Sequence, residues 1–318
     1  MRLRDDFVAV KVPATSANLG PGFDCMGLAL DLWDEVSVHA TTGPTSVVVE
    51  GEGAGNVEQG EDNLVVRALR LALDRVGAPQ VGVRMHCTNR IPHSRGLGSS
   101  ASAIVAGVTL ARALIGDADV LGRQEILEIG SHMEGHPDNV APAIFGGFTV
   151  NTVTNGHVEC FSFLPRIFMR FVVMVPDFYL STKSAREVLP SEVPMKDAVF
   201  NVSHAAMMVA ALARGSEKHL GNAFEDALHQ NYRASLIPGM FDVFAAAKKA
   251  GAYGAVLSGA GPCLIAFVPE HRKCTEEVAA AMQEAFRAHD VEARPLHLRL
   301  DTKGARVLHR KESSVKKK

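Results

Sequence analysis

Pro92-His93-Ser94-Arg95-Gly96-Leu97-Gly98-Ser99-Ser100-Ala101-Ser102 lies between a predicted strand, 81–87, and a predicted helix, 99–114. Glycines at 96 and 98 let backbone amides approach a ligand with no Cβ in the way. Ser99 and Ser100 add hydroxyls where the helix begins. A helix N-terminus supplies unpaired N–H groups and the positive end of its dipole. Together these make a phosphate cradle. The Gly-Lys-Ser/Thr ending of a Walker A loop is absent. Gly96-x-Gly98-x-x-Ala101 satisfies a relaxed dinucleotide fingerprint, but that fingerprint places its glycines immediately after the strand, and here a loop from Thr88 intervenes. A nicotinamide oxidoreductase and a ligand-free Gly/Ser-rich helix entry stay as weaker alternatives.

Downstream, Glu128-Ile129-Gly130-Ser131-His132-Met133-Glu134-Gly135-His136-Pro137-Asp138-Asn139 gathers further polar groups. Glu128 and His132, four apart, share a helix face. Zinc on His132 and His136 is disfavoured, because Gly135 and Pro137 break the helix and no third ligand is evident. A hard cation such as Mg²⁺ suits the segment better, held by a carboxylate, a serine hydroxyl and phosphate oxygens. Upstream, Ala14–Asp24 packs small polar groups around Gly20, Pro21 and Gly22, leaving Asn18 and Asp24 to point at a ligand; an ordinary rigid loop is the plainer reading. Arg186 and Arg233 can each grip a carboxylate bidentately, although a lone arginine is more often solvated.

The surrounding pattern mixes short strands and helices irregularly, which is an α+β arrangement. Strands are predicted at 8–12, 35–40 and 46–51, and Asp62 or Asn63 caps a helix to 76 with Leu64, Ala68, Leu71 and Ala72 on one stripe. A further helix covers 125–133. The second half reads as a strand at 170–175, helices at 182–188, 198–214, 220–227 and 241–250, a strand–turn–strand at 252–268, a helix at 271–288 and a last strand at 293–300. The length, 318 residues, suits two domains, and the division is placed at 1–158 and 159–318. Thirty-three basic against 35 acidic residues, net −2, create no field for nucleic acid or anionic lipid. Arg306–Lys318 forms a basic tail, expected to be solvated. Ala250–Pro269 carries no charge, yet Gly251, Gly254, Gly259, Gly261 and Pro262 interrupt it, so a membrane span is not expected. Five scattered cysteines without a C-x-x-C pair, and a start lacking an apolar signal region, fit a cytoplasmic protein.

Pro92–Ala101 resembles the P-x-x-x-G-L-G-S-S-A motif of the GHMP kinases. Val12–Asp24, Gly135–Ala143 and Leu257–Pro262 are similar, in the same order, to segments of the homoserine kinase branch. The resemblance covers nearly the whole chain. It implies a two-domain fold with a ribosomal-S5-like N-terminal domain, a ferredoxin-like C-terminal domain and ATP between them. It also implies ATP-dependent phosphorylation of the L-homoserine side-chain hydroxyl to O-phospho-L-homoserine, a step of threonine biosynthesis. Carried over by position, Pro92, His93, Ser94, Arg95, Gly96, Leu97, Gly98, Ser99, Ser100, Ala101 and Ser102 wrap the ATP phosphates. Ser100 and Glu128 would hold Mg²⁺, and Asn63 would lie near the nucleotide. Asn18, Asp24, His136, Asn139, Thr182, Arg186 and Arg233 would line the amino-acid pocket. Similar kinases are commonly homodimers, and the sequence leaves the oligomeric state open.

The chemistry of homoserine agrees with that pocket. Its carboxylate needs a cationic grip, which Arg186 and Arg233 supply with five donors each. Its ammonium needs an acceptor, met by Asp24 with Asn18. Similar mevalonate kinases place an aspartate base eleven residues after the magnesium glutamate; counting from Glu128 gives Asn139. An amide cannot take a proton, so the γ-phosphate or water is expected to do so, while Asp138, if extended, would face away. Kinases acting on shikimate or mevalonate, and a non-catalytic sensor, are the rivals. His132 and Glu134 receive no role.

Overall fold

The first half runs β1 (Val8–Ala17), β2 (Met26–Thr41), β3 (Ser46–Gly51), α1 (Leu64–Arg75), β4 (Gly82–Asn89), α2 (Ser99–Ile115), α3 (Arg123–Glu134), α4 (Val140–Phe145), β5 (Phe148–Thr154) and β6 (His157–Phe163). There follow β7 (Met169–Pro176), α5 (Thr182–Glu187), α6 (Met195–Arg214), the short helices α7 (Glu217–Leu220) and α8 (Gln230–Arg233), and α9 (Met240–Lys249). The chain continues with β8 (Gly254–Leu257), β9 (Leu264–Pro269), α10 (Thr275–Arg287), β10 (Ala293–Leu298) and β11 (Arg306–Leu308). This computed structural model describes residues 3–4, 7–117 and 119–308.

A seven-stranded mixed sheet ordered β11-β1-β2-β4-β3 extends at β2 to β5 and then β6. Its alternating Val8, Val10 and Val12, with Val36 and Val38 opposite, meet Leu69 and Leu73 of α1 and Ile104 and Val108 of α2 in one core. The side-chain period of two along a strand aims these residues at the helices. In α1, Asn63 accepts the Val65 amide at 3.0 Å as the N-cap, and Val65, Val66, Leu69, Ala72 and Leu73 are buried. Leu71, expected on that stripe, is exposed.

The second sheet is fully antiparallel, ordered β10-β7-β9-β8, with α9 and α10 on one face. The β-α-β-β-α-β order is ferredoxin-like. Along β7, Val172 and Met174 face α9 and α10, while Phe171, Val173 and Val175 face a second core shared with Leu28, Leu30 and Phe148 of the first sheet and Met208 and Leu212 of α6. Both faces are covered, which is why Ala250–Pro269 carries no charge. Among the described residues no helix is long and apolar enough to cross a membrane.

Three expectations shift. A division at 158 falls inside β6, whose Phe163 pairs with Phe148 across a hairpin turned by Asn155 and Gly156, both at positive φ. Arg306–Leu308 of the expected solvated tail form β11, paired with Ala9–Lys11, so the first sheet takes strands from both ends of the chain. Residues 309–318 of the expected tail lie outside the described residues. The helix predicted at 220–227 ends at Leu220. The Asp226 carboxylate instead accepts the amides of Leu228, His229 and Gln230 at 2.7–3.0 Å, starting α8 later.

Candidate active site

The loop 92–98 crosses from β4 to α2 on the seam between the two sheets. Gly96 sits at φ +80°, and a Cβ there would lie 2.2 Å from the Ser258 carbonyl oxygen. At Gly98, φ +70°, a Cβ would lie 1.9 Å from Thr15 Oγ1. Gly98 is the N-cap of the 17-residue α2 and offers no side chain, so the first-turn amides of α2 stay open to an anion. Ser258 Oγ donates to the Gly96 carbonyl at 2.7 Å, and the Cys263 amide donates to that of Arg95 at 3.1 Å. The segment Ser258–Cys263 thereby braces the loop from the second sheet. Leu97 and Ala101 are fully buried and serve by backbone alone. The Arg95 guanidinium lies over the Tyr179 ring at 4.2 Å.

Two cavities meet at this loop, sharing His93, Ser99 and Ser100. One, of about 390 Å³, lies between β4, the 52–63 segment and α2, and includes Asp34, Asn63, Cys87, Asn89 and Ser102. Asn63 lines it with its amide engaged, capping α1 and donating to the Glu58 carbonyl at 2.8 Å. Asp34, nearly buried, accepts the Arg90 and Ile91 amides at 2.7 and 3.0 Å and the Ser102 hydroxyl at 3.2 Å. Burial pushes its carboxyl up to about 6 against those hydrogen bonds.

The other cavity, about 240 Å³, brings together Asn18, Asp24, His136, Asn139, Thr182, Arg186 and Arg233, all seven residues expected there. Ser181 caps α5 by accepting the Ser184 amide at 3.0 Å, setting Thr182 and Arg186 on one short helix. Arg186 makes a two-pronged pair with Asp24, at 2.7 and 3.1 Å, and that bond holds its pKa above the ordinary value despite partial burial. Asn18 braces rather than reaches: its Oδ1 accepts the Asp24 amide and its Nδ2 donates to the Gly259 carbonyl, both at 2.9 Å. Arg233, 1% exposed, donates to the Ala185 and Gly259 carbonyls and to His229, and among the described residues it has no carboxylate within ion-pair distance. Burial, with repulsion from Arg186, lowers its pKa to about 10, leaving it charged at neutral pH.

Asn139 Oδ1 accepts the Thr15 hydroxyl at 2.8 Å, which fixes its amide at the start of α4. Asp138 does not face away; it lines the same cavity and stands 2.5 Å from His136 Nδ1. Burial disfavours the imidazolium. The Asp138 hydrogen bond and charge, with Glu134 and Asp24, outweigh it and raise the His136 pKa.

The pairing expected between Ser100 and Glu128 is not what the fold makes. Ser100 Oγ donates to Glu134 Oε2 at 2.7 Å, and both line the cavity. Glu128 stands 3.0 Å from His157 and accepts from Gln124. Glu134 was missed because its signal, a carboxylate one residue before the helix-ending Gly135, looks like an ordinary C-terminal turn. Asp34 and Thr15 act through partners distant in sequence, which no local pattern reveals.

A phosphate loop at a helix N-terminus, seated between an S5-like and a ferredoxin-like unit, defines the GHMP kinases. Residues 63–147 match the GHMP kinases N terminal domain and residues 208–289 the GHMP kinases C terminal. The homoserine kinase of Moorella thermoacetica is 44% identical over 277 residues, covering 87% of this chain and 92% of that protein. That of Desulfitobacterium hafniense is 40% identical, covering 95% and 100%. The crystal structure of homoserine kinase from Cytophaga hutchinsonii superposes with a TM-score of 0.85 at 27% identity, covering 97% of this chain and 99% of that one. The chain belongs to the homoserine kinase family of ATP-dependent GHMP kinases.

Proposed function

We propose that this chain transfers the γ-phosphoryl group of ATP to the side-chain hydroxyl of L-homoserine, giving O-phospho-L-homoserine and ADP for threonine biosynthesis. The carrying observation is Arg233, a buried guanidinium that lines the cavity and, among the described residues, has no carboxylate within ion-pair distance. A buried charge calls for a counter-charge, and a substrate carboxylate supplies one. Asp24 supports the other end of a zwitterion by accepting an ammonium. Its pairing with Arg186 means that the ammonium and carboxylate of the substrate would each replace one half of an existing ion pair. Mevalonate has no ammonium for that exchange. The five free cysteines favour a reducing, cytoplasmic setting.

Ser100 and Glu134 fit Mg²⁺, two hard oxygen ligands beside an open helix N-terminus. Among the described residues no cluster of three or more His, Cys, Asp or Glu side chains is shaped for a metal, and Mg²⁺ bound mainly through phosphates and water needs none. When bound with ATP, the cation neutralises charge on the phosphates. The amides of 96–101 cradle the phosphates and the cavity under Asn63 takes the nucleoside. Asn139, held by Thr15, orients the acceptor hydroxyl, and His136, whose imidazolium is favoured by Asp138, lies beside it. The Asp138 carboxylate is committed to His136, so the hydroxyl proton passes to a γ-phosphate oxygen or to water. A general base contributes about 10²–10⁴-fold, and a loose transition state does without it, gaining from positioning and charge.

ADP release with Mg-ATP, comparing homoserine, shikimate, mevalonate and no acceptor, tests the reading. Turnover with homoserine alone is expected. Turnover only with another alcohol would remove the roles of Asp24, Arg186 and Arg233. ATP binding without turnover on any acceptor would make the chain a sensor.

A further inference from the structure

His229 is fully buried and is not among the residues lining the cavity, yet both ends of the amino-acid site converge on its ring. Its Nδ1 stands 3.1 Å from Arg233 Nη1, and its Nε2 stands 2.8 Å from the Gly20 carbonyl oxygen. A guanidinium only donates, so Nδ1 must accept. The proton then sits on Nε2 and is donated to Gly20. One tautomer satisfies both contacts, and a second proton on Nδ1 would press an N–H against a cation. Burial and the Arg233 charge keep the imidazole pKa low, against the pull of Asp226 3.6 Å away. Phe23 stacks on the ring at 5.1 Å and lies beneath the Arg233 guanidinium at 5.3 Å.

The consequence is geometric. Arg233 Nε is taken by the Ala185 carbonyl, and Nη1 is shared between His229 and the Gly259 carbonyl. Among the described residues Nη2 has no hydrogen-bond partner. The Gly20 carbonyl belongs to the same tight loop that carries Asp24, so the imidazole spans from the ammonium end of the site to the carboxylate end. We propose that His229 is a positioning residue, which aims Arg233 at the substrate carboxylate and sets its distance from Asp24. This rests on the amino-acid reading of the cavity. Nothing in the local sequence singled the residue out, because its partners lie 209 residues upstream and one helical turn downstream.

The experiment is a double-mutant cycle of His229→Leu and Arg233→Met, with His229→Asn alongside. His229→Leu should raise the KM for L-homoserine about tenfold or more, the size of a lost hydrogen bond to a charged group. The KM for ATP and kcat should stay within about threefold. In the Arg233→Met background the same change should add less than about twofold, because the two act as one unit. His229→Asn, whose amide oxygen falls near the place of Nδ1, should recover most of the loss. Equal losses in both backgrounds, or parallel losses in kcat and both KM values, would overturn the proposal. If His229→Leu does not fold, the imidazole ¹⁵N spectrum of the wild type decides: an Nε2–H tautomer at pH 7 is expected, and an Nδ1–H or doubly protonated ring refutes it. A wild type inactive on homoserine counts against the function, and the tautomer still judges His229.

Discussion

Glu128 and Glu134 stand on the same helix, six residues apart, and a 3.6-residue period turns them about 120° from each other. Only one can look into the cavity. Glu134 does, in contact with Ser100, while Glu128 looks toward His157 on β6. An eleven-residue count back from Asn139 selects Glu128, but spacing carried over from similar proteins holds only where the helix end and the following turn have the same length. The prediction that separates them is direct. Glu134→Gln should lower kcat about 10²-fold, the scale of losing one preorganised electrostatic contact in a transition state, and should raise the Mg²⁺ concentration needed for half-maximal rate. Glu128→Gln should stay within about threefold of wild type in both. Steady-state ADP release over a Mg²⁺ titration reads this, and a Glu128→Gln variant with the larger defect would return the metal role to Glu128. The same residue scale explains Asp138. It was expected to face away on the assumption of an extended segment, but the backbone turns there into α4, and the carboxylate swings in to meet His136.

Among the elements, the phosphate loop is the one whose chemistry was most readable. Its glycines, serines and following helix are contiguous, and all their signals are local. The strain it tolerates is equally specific. Gly98→Ala would force a Cβ against Thr15 Oγ1 at a positive φ that disfavours any side chain. Thr15 is also the residue that holds Asn139. The substitution should therefore raise the KM for ATP by about tenfold and lower kcat as well, since Asn139 moves with Thr15; an unchanged kcat would show that the Thr15–Asn139 contact is independent of the loop. The helix α1, with its Asn63 cap and apolar stripe, was similarly legible. Other elements were not. β5 and β6 escaped because Asn155-Gly156, a hairpin signal, sat where a domain boundary was expected. The helix expected at 220–227 failed because Asp226 captures three amides and starts α8 instead, a side-chain competition with the backbone that periodicity does not register.

At the level of the whole molecule, two units were foreseen but not their interleaving. The first sheet borrows β11 from the far end of the chain, and Leu300 bridges to Leu30. No local pattern predicts a pairing across nearly 300 residues. Asp301 holds this closure. It is 5% exposed, and it accepts Trp33 Nε1 at 3.0 Å, the Lys303 and Gly304 amides at 2.9 and 2.7 Å, and the Arg306 guanidinium at 2.8 Å. Asp301→Ala would leave an indole N–H, two amides and a guanidinium without that acceptor. Unmet buried donors cost about 1–3 kcal/mol each, and solvent reaches Arg306, so a net loss of roughly 2–4 kcal/mol in urea unfolding is expected. The seam at Asp301 shares no side chain with either cavity. Both KM values and kcat, measured well below the transition, should therefore stay within about twofold of wild type. A proportional fall in kcat in the folded variant would instead mean that the closing strand, through Gly147 and α4, sets the position of Asn139.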